Sequence, residues 1–162
     1  MIFCVEDDPN IRELEVYTLQ SVGFKALGVG SGDELFKALE CGKPTLILLD
    51  IMLPGEDGYN ILKRLKSDTR TRDIPVIMVT AKEAEYDKVK GLEAGADDYI
   101  TKPFGMMEFV ARVKAVLRRC SKQEDDKELR YGDLSLSVGK HKVHWKDTSV
   151  ELTRKEFELL QY

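Results

Sequence analysis

The chain has 162 residues, 43% of them apolar and 33% charged, with a net charge of -4. That length suits one globular domain and part of another, and the small net charge excludes a disordered polyelectrolyte and a generalised DNA-coating surface. No apolar run approaches the roughly 20 residues of a membrane helix, and the start, MIFCVEDD, lacks the basic region of a signal peptide, so no membrane role is expected.

Up to Arg119, short apolar runs alternate with segments of helical period. The runs are Ile2–Val5, Ala26–Val29, Leu46–Leu49, Val76–Val79 and Tyr99–Ile100, and the first, third and fourth are almost continuously apolar. Continuous apolarity is what a parallel strand covered on both faces requires. Asp8-Pro9 supplies a cap and a first-turn proline for a helix presenting Ile11, Leu14, Leu19 and Val22. Ser31-Gly32-Asp33-Glu34 is a capping box for a second helix containing Leu35, Phe36 and Leu39. Ile61–Leu65, Val89–Ala94 and Phe109–Leu117 continue the alternation, so residues 1–120 are expected to form a doubly wound α/β domain with a five-stranded parallel sheet.

Beyond Arg119 the character changes. Residues 121–128 (SKQEDDKE) are polar without periodicity and read as a linker. Short alternating segments then run through Leu129–Tyr131, Leu134–Val138, Val143–Trp145 and Val150–Leu152, with turns at Gly132-Asp133, Gly139-Lys140 and Lys146-Asp147: a small antiparallel sheet. Thr153-Arg154-Lys155-Glu156 opens a further helix bearing Phe157 and Leu160, which the sequence leaves at about two turns. Residues 129–162 are therefore expected to be an incomplete second domain.

In doubly wound sheets, chemistry gathers beyond the carboxyl ends of the strands. The first strand ends in Glu6-Asp7-Asp8, the third in Asp50, the fourth in Thr80-Ala81 and the fifth in Thr101-Lys102-Pro103. Clustered carboxylates repel one another, and a hard divalent cation with oxygen ligands, Mg²⁺ above all (or Mn²⁺), resolves that repulsion while leaving room for phosphate oxygens. A carboxylate can act as nucleophile and become an acyl phosphate. Lys102 would then balance the phosphoryl charge and Thr80 would donate a hydrogen bond to it. The tight loop Met52-Leu53-Pro54-Gly55 can turn a backbone carbonyl toward the metal. Asp50, at the end of a buried strand, is the expected phosphoacceptor.

VEDD at Val5–Asp8, LLDIMLPGEDG at Leu48–Gly58, VTA at Val79–Ala81 and ADDYITKPF at Ala96–Phe104 resemble the receiver domain of two-component response regulators. LRYGDLSLSVGK and VELTRKEFELL resemble the opening of the winged-helix effector of the OmpR/PhoB subfamily. The resemblance implies a flavodoxin-like fold and Mg²⁺ bound by Asp7, Asp50, the Met52 carbonyl and, through water, Glu6. It implies phosphotransfer from a sensor histidine kinase to Asp50, and a cis peptide between Lys102 and Pro103. It also implies a switch in which Thr80 moves toward the phosphoryl group and Tyr99 rotates inward. The helix before the fifth strand, that strand and the helix after it would then form a twofold dimer face, with Lys88 opposite Glu108, Asp98 opposite Arg112 and Asp97 opposite Arg119. Promoter DNA would be the partner of a complete effector.

Two positions depart from the family pattern. Gly105-Met106-Met107 replaces the usual Ser-Pro cap of the last receiver helix, and a frayed first turn is expected. Residues 121–162 carry no recognition helix or wing, and hold 8 Lys/Arg against 9 Asp/Glu, so this stretch is not expected to grip DNA specifically by itself. Cys4, Cys41 and Cys120 are odd in number and widely spaced, and read as reduced thiols of a cytoplasmic protein. His141 and His144 read as ordinary sheet residues. An aspartyl-phosphate hydrolase of the haloacid dehalogenase type also uses a strand-end Asp and Mg²⁺, but it needs a second acid two residues on, where this chain has Met52. The expectation is thus a phosphoacceptor with weak intrinsic autophosphorylation and autodephosphorylation chemistry, Met52 and Lys82 flanking the path of the attacking water, and no turnover of external substrates. The alternative is a receiver that dimerises or binds a partner without DNA.

Overall fold

The computed structural model describes residues 1–81, 94–125, 128–137, 142–146, 148–150 and 156. It divides into two compact units, Met1–Leu117 and Arg118–Tyr162. In the first, strands β1 (Ile2–Val5), β2 (Ala26–Val29), β3 (Leu46–Asp50), β4 (Val76–Thr80) and β5 (Asp98–Thr101) form a parallel sheet in the order β2-β1-β3-β4-β5. Helices α1 (Pro9–Ser21), α2 (Gly32–Cys41) and α3 (Gly58–Ser67) link the first strands, and α4 (Met106–Asp125) follows β5. This is the flavodoxin-like doubly wound fold. Its strand order reverses between β1 and β3, which opens a crevice beyond their carboxyl ends.

Every residue of β1, β3 and β4 is buried, which explains their unbroken apolar runs; the edge strand β2 is only partly covered. One core cluster joins Phe3, Leu49, Leu62, Ile74, Met78 and Tyr99, and α4 contributes the buried Phe109, Val113 and Val116. Each fully buried Leu, Ile or Phe contributes about 1.5–3 kcal/mol. Asp8 caps α1, accepting the N–H groups of Asn10 and Ile11 at 2.8 and 3.2 Å. Ser31 caps α2 through the Glu34 N–H at 3.3 Å, but the Glu34 carboxylate takes the Gly30 N–H at 2.7 Å, one residue earlier than a capping box would have it.

Two elements differ from the sequence expectation. On α1, Leu14 and Val22 are 47% and 41% exposed, whereas Glu15, Thr18 and Leu19 are buried. Positions 12, 15 and 19 share a helical stripe, so a helix that turns Arg12 and Leu19 toward the sheet turns Glu15 there too. The second difference is α4, which begins at Met106, Phe109 donating to the Gly105 carbonyl at 3.0 Å, and runs on to Asp125. Residues 121–125, read as linker, are helical: Lys, Gln and Glu propagate a helix already nucleated and need no apolar face to do so.

In the second unit, β6 (Glu128–Tyr131), β7 (Leu134–Ser137), β8 (Lys142–Trp145) and β9 (Thr148–Val150) form an antiparallel sheet in sequence order, as the alternating segments predict. Gly132 takes a positive φ of 60° in the first turn, and the Lys146 N–H donates to the Asp133 carbonyl at 2.7 Å. His144 pairs with Ser135 and Ser149 in register, an ordinary sheet position. The helices expected around Val89–Ala94 and from Thr153 lie, apart from Ala94 and Glu156, outside the described residues, as do Lys82, Lys88 and His141.

Candidate functional site

β1, β3, β4 and β5 all end on the same edge, and each delivers polar groups there. Asp50, the last residue of β3, is 4% exposed and stands in register with Val79 of β4. Its Oδ1 accepts the Met52 N–H at 2.9 Å, a local turn that starts the loop, and its Oδ2 accepts from Lys102 Nζ at 2.6 Å. Glu6, directly after β1, is 2% exposed; its Oε2 takes the other hydrogen bond from Lys102, and its Oε1 accepts the Asp8 N–H at 3.2 Å. Lys102 follows β5 and is joined to Pro103 by the cis peptide that the resemblance implied. Asp7 is exposed at the mouth of an open cleft of about 510 Å³, lined also by Met52, Leu53, Pro54 and Gly55.

Carboxylate oxygens of Glu6, Asp7 and Asp50 lie within 4.8 Å of one another. The structure thus brings the three acids together with Lys102 and sets Met52 on the wall of the same cleft. The donors are hard oxygens, and two of the acids, Glu6 and Asp50, already share one cation, Lys102, so the set fits a small divalent ion. Electrostatics agree. Burial pushes the Glu6 carboxyl above the ordinary glutamate value, opposed by the Lys102 hydrogen bond and reinforced by the charge on Asp50. For Lys102, burial disfavours the charged form, but hydrogen bonds from its ammonium to Asp50 and Glu6, and their charges, outweigh it and hold the ammonium protonated. Two buried carboxylates and one half-buried ammonium are stable together and costly apart.

Thr80, the last residue of β4, is fully buried beside Thr101 in register. Tyr99 on β5 is 8% exposed within the core cluster, so in this conformation its ring is already turned inward. Gly58, the first residue of α3, lies so close to β3 that a β-carbon there would meet the carbonyl oxygen of Asp50; the absent side chain is what lets α3 start against the end of β3.

The outer residues are placed differently. Asp98 and Arg112 meet within one chain at 3.2 Å, and Arg112 also bridges Glu108 at 3.0 Å. Asp97 accepts the Val76 N–H at 2.8 Å and lies 3.6 Å from Lys66, which ties the start of β5 to the start of β4. Arg119, on α4, has interactions of its own. The acids that sequence reasoning assigned to a partner chain are therefore engaged at home.

Sequence reasoning missed one buried acid. Glu15 is 2% exposed, and its Oε1 has no hydrogen-bond partner among the described residues. Burial first, then the charges of Glu6 and Asp50 against that of Lys102, push its carboxyl up to about 8. The signal available was its helical spacing from Arg12 and Leu19.

Comparison with known proteins gives the same picture. The model of the response regulator receiver domain matches residues 2–114. The phosphate regulon transcriptional regulatory protein PhoB of Klebsiella pneumoniae is 44% identical over 161 residues, 99% of this chain and 70% of that protein. The alkaline phosphatase synthesis transcriptional regulatory protein PhoP of Bacillus subtilis is 42% identical over 170 residues, again 99% and 70%. Among solved structures, the response regulator DrrB of Thermotoga maritima, an OmpR/PhoB homolog, superposes with a TM-score of 0.66 at 33% identity, covering 99% of this chain and 70% of that one.

Proposed function

The chain belongs to the response regulator receiver family, in its OmpR/PhoB branch, and on that premise we propose that Asp50 accepts a phosphoryl group from a sensor histidine kinase. The observation that carries this reading is the junction of Glu6, Asp7, Asp50 and Lys102 at one sheet edge.

Asp50 is the nucleophile. One carboxylate oxygen forms the new P–O bond as the donor's bond to phosphorus breaks, and the electron pair leaves with the donor. The Met52 N–H and Lys102 hold the carboxylate at a fixed angle before attack, so little orientation remains to be found in the transition state. Glu6, Asp7, Asp50 and the Met52 carbonyl would hold Mg²⁺ (or Mn²⁺), which when bound screens the acids and stabilises charge on the phosphoryl oxygens. Lys102 then moves its hydrogen bond from Asp50 to the phosphoryl group, and the Thr80 hydroxyl donates to the same group. No second acid follows Asp50 at position 52, so turnover of external substrates is not part of the proposal.

A rearrangement of Thr80 and Tyr99 is proposed to reshape the outer face of β5 and α4 and favour a twofold dimer. There Asp97, Asp98, Glu108, Arg112 and Arg119, with Lys88, would exchange partners between chains. The full regulator would bind promoter DNA through its complete effector. Among the described residues no helix is long and apolar enough to cross a membrane, and a cytoplasmic location fits the reading.

The test is to incubate the protein with a small acyl phosphate, with and without Mg²⁺, and weigh it intact beside Asp50→Asn. A single Mg²⁺-dependent phosphoryl adduct, absent from the variant, is expected. A folded protein that takes no adduct would leave only a partner-binding module.

A further inference from the structure

Three acids converge on the site, but only two are held by their side chains. Glu6 and Asp50 each accept from Lys102 and from a backbone N–H. Among the described residues, no hydrogen bond or ion pair is recorded for the Asp7 carboxylate, which stands exposed at the mouth of the cleft. Something else must fix its direction if it is to serve as a ligand.

That something is in the backbone. Arg12, half-buried on α1, donates from Nη1 to the carbonyl oxygen of Glu6 at 2.7 Å and to that of Asp7 at 3.3 Å. These carbonyls belong to the two peptide planes that flank the Asp7 Cα. Each plane is rigid, so holding both carbonyls against one nitrogen restrains φ and ψ of Asp7 together. The direction of its Cα–Cβ bond follows. The arginine is itself seated: its stem lies over Gly28, where a β-carbon would come within 2.7 Å of Arg12 Cγ, and its guanidinium passes Gly30, where a β-carbon would come within 3.1 Å of Nη1. Residues 28 and 30 point to one face of the strand and its end, so two missing side chains form the slot in which Arg12 lies.

We infer that Arg12, seated in the Gly28–Gly30 slot, is a positioning residue that aims the otherwise unsupported Asp7 carboxylate at the divalent cation. The inference rests on the reading of Glu6, Asp7 and Asp50 as the cation site. It has a sign that separates it from simple electrostatics. Removing a positive charge beside three acids makes the site more negative and, by Coulomb's law, tightens cation binding. Removing a positioning group weakens it. Outer supports of metal ligands are worth about 10- to 100-fold in affinity.

The experiment measures Mn²⁺ affinity by electron paramagnetic resonance of the free ion, in the full chain and in Arg12→Ala, Arg12→Lys and Gly28→Ala. Arg12→Ala should bind Mn²⁺ about 10-fold more weakly or worse. Arg12→Lys keeps the charge but replaces the guanidinium with a single ammonium of shorter reach, and should fall between. Gly28→Ala keeps the arginine but crowds its stem, and should weaken binding in the same direction by less. Thermal melting in chelator should stay close to wild type for Arg12→Ala, since the cation is then absent. Arg12→Ala binding Mn²⁺ as tightly as wild type, or more tightly, overturns the inference alone. A wild-type chain that binds no Mn²⁺ overturns the reading of the site and this inference with it.

Discussion

β5 carries a three-membered charge cluster at each end, and the two are built to opposite rules. Past its carboxyl end, Lys102 joins Glu6 and Asp50, whose side chains are only 2% and 6% exposed. At its start, Arg112 joins Asp98 and Glu108, which are 24% and 50% exposed, and is itself 40% exposed. Composition barely differs: one cation between two carboxylates. Solvent decides the rest. Inside, breaking one pair leaves a charge with little access to water; outside, water replaces a lost partner at almost no cost. The proposed phosphorylation would therefore force the inner cluster to reorganise, while the outer one can trade partners freely.

The largest expected effect tests the inner cluster directly. Lys102→Met leaves Glu6 and Asp50 facing each other without a cation, and should destabilise the fold by about 3–5 kcal/mol in chemical denaturation. Millimolar Mg²⁺ should return a large part of that loss by taking over as counter-ion. A loss below about 1 kcal/mol would place the inner cluster under the same rule as the outer one.

Glu15 sharpens the comparison because it is a buried acid with no paired cation among the described residues. Its carboxyl is raised from 4.5 to about 8 in the fold by burial, with Glu6 and Asp50 adding to it, Lys102 opposing it and the buried Cys4 nearby. Between those values the folded chain binds the proton that the unfolded chain has released. Stability is thus unpenalised below about pH 4.5, declines as pH rises from there to about 8, and carries the whole penalty above it. At pH 7 the penalty is on the order of 3 kcal/mol. Glu15→Gln, which cannot ionise, should be more stable than wild type at pH 7 and show a flatter stability profile between pH 5 and 8. A profile as steep as wild type would assign the slope to other groups.

A smaller effect is expected at Gly58. Its missing side chain leaves room for the Asp50 carbonyl, and Gly58→Ala should cost about 1–3 kcal/mol through overpacking. It should also slow the proposed phosphorylation, because the strand end that moves is the one bearing Asp50. Normal phosphorylation in a destabilised variant would show that the inner cluster tolerates displacement.

Most of this frame was legible in the sequence. β1, β3 and β4 announced themselves because strands covered on both faces have no polar positions to interrupt them, and their polar ends marked the site edge. The Glu15 position was hidden because the apolar residues of α1 suggested a face through Leu14 and Val22, both of which are exposed. Arg12, on the same stripe, is anchored to two carbonyls, and hydrogen bonds of that kind leave no periodic trace. Asp98 and Arg112 were legible as partners, but across two chains rather than within one. Asp98 and Arg112 are 14 residues apart, and only the packing of α4 beside β5 brings them to 3.2 Å.

That last placement sets the smallest prediction. Because Asp98 and Glu108 already hold Arg112 within one chain, a dimer that used these groups would exchange bonds rather than add them. Arg112→Ala should change monomer stability by less than about 1 kcal/mol, and the difference should vanish near 1 M salt, where the screening length falls to about 3 Å. The dimer is a different matter, since a twofold face counts each substitution twice and reversed charge repels in both copies. Arg112→Glu should therefore leave the monomer folded yet abolish phosphorylation-driven dimerisation, as read by sedimentation, and Asp98→Arg in the same chain should restore it. Undiminished dimerisation of Arg112→Glu would mean that the outer cluster sets neither register nor affinity, and that the switch is read out on another face.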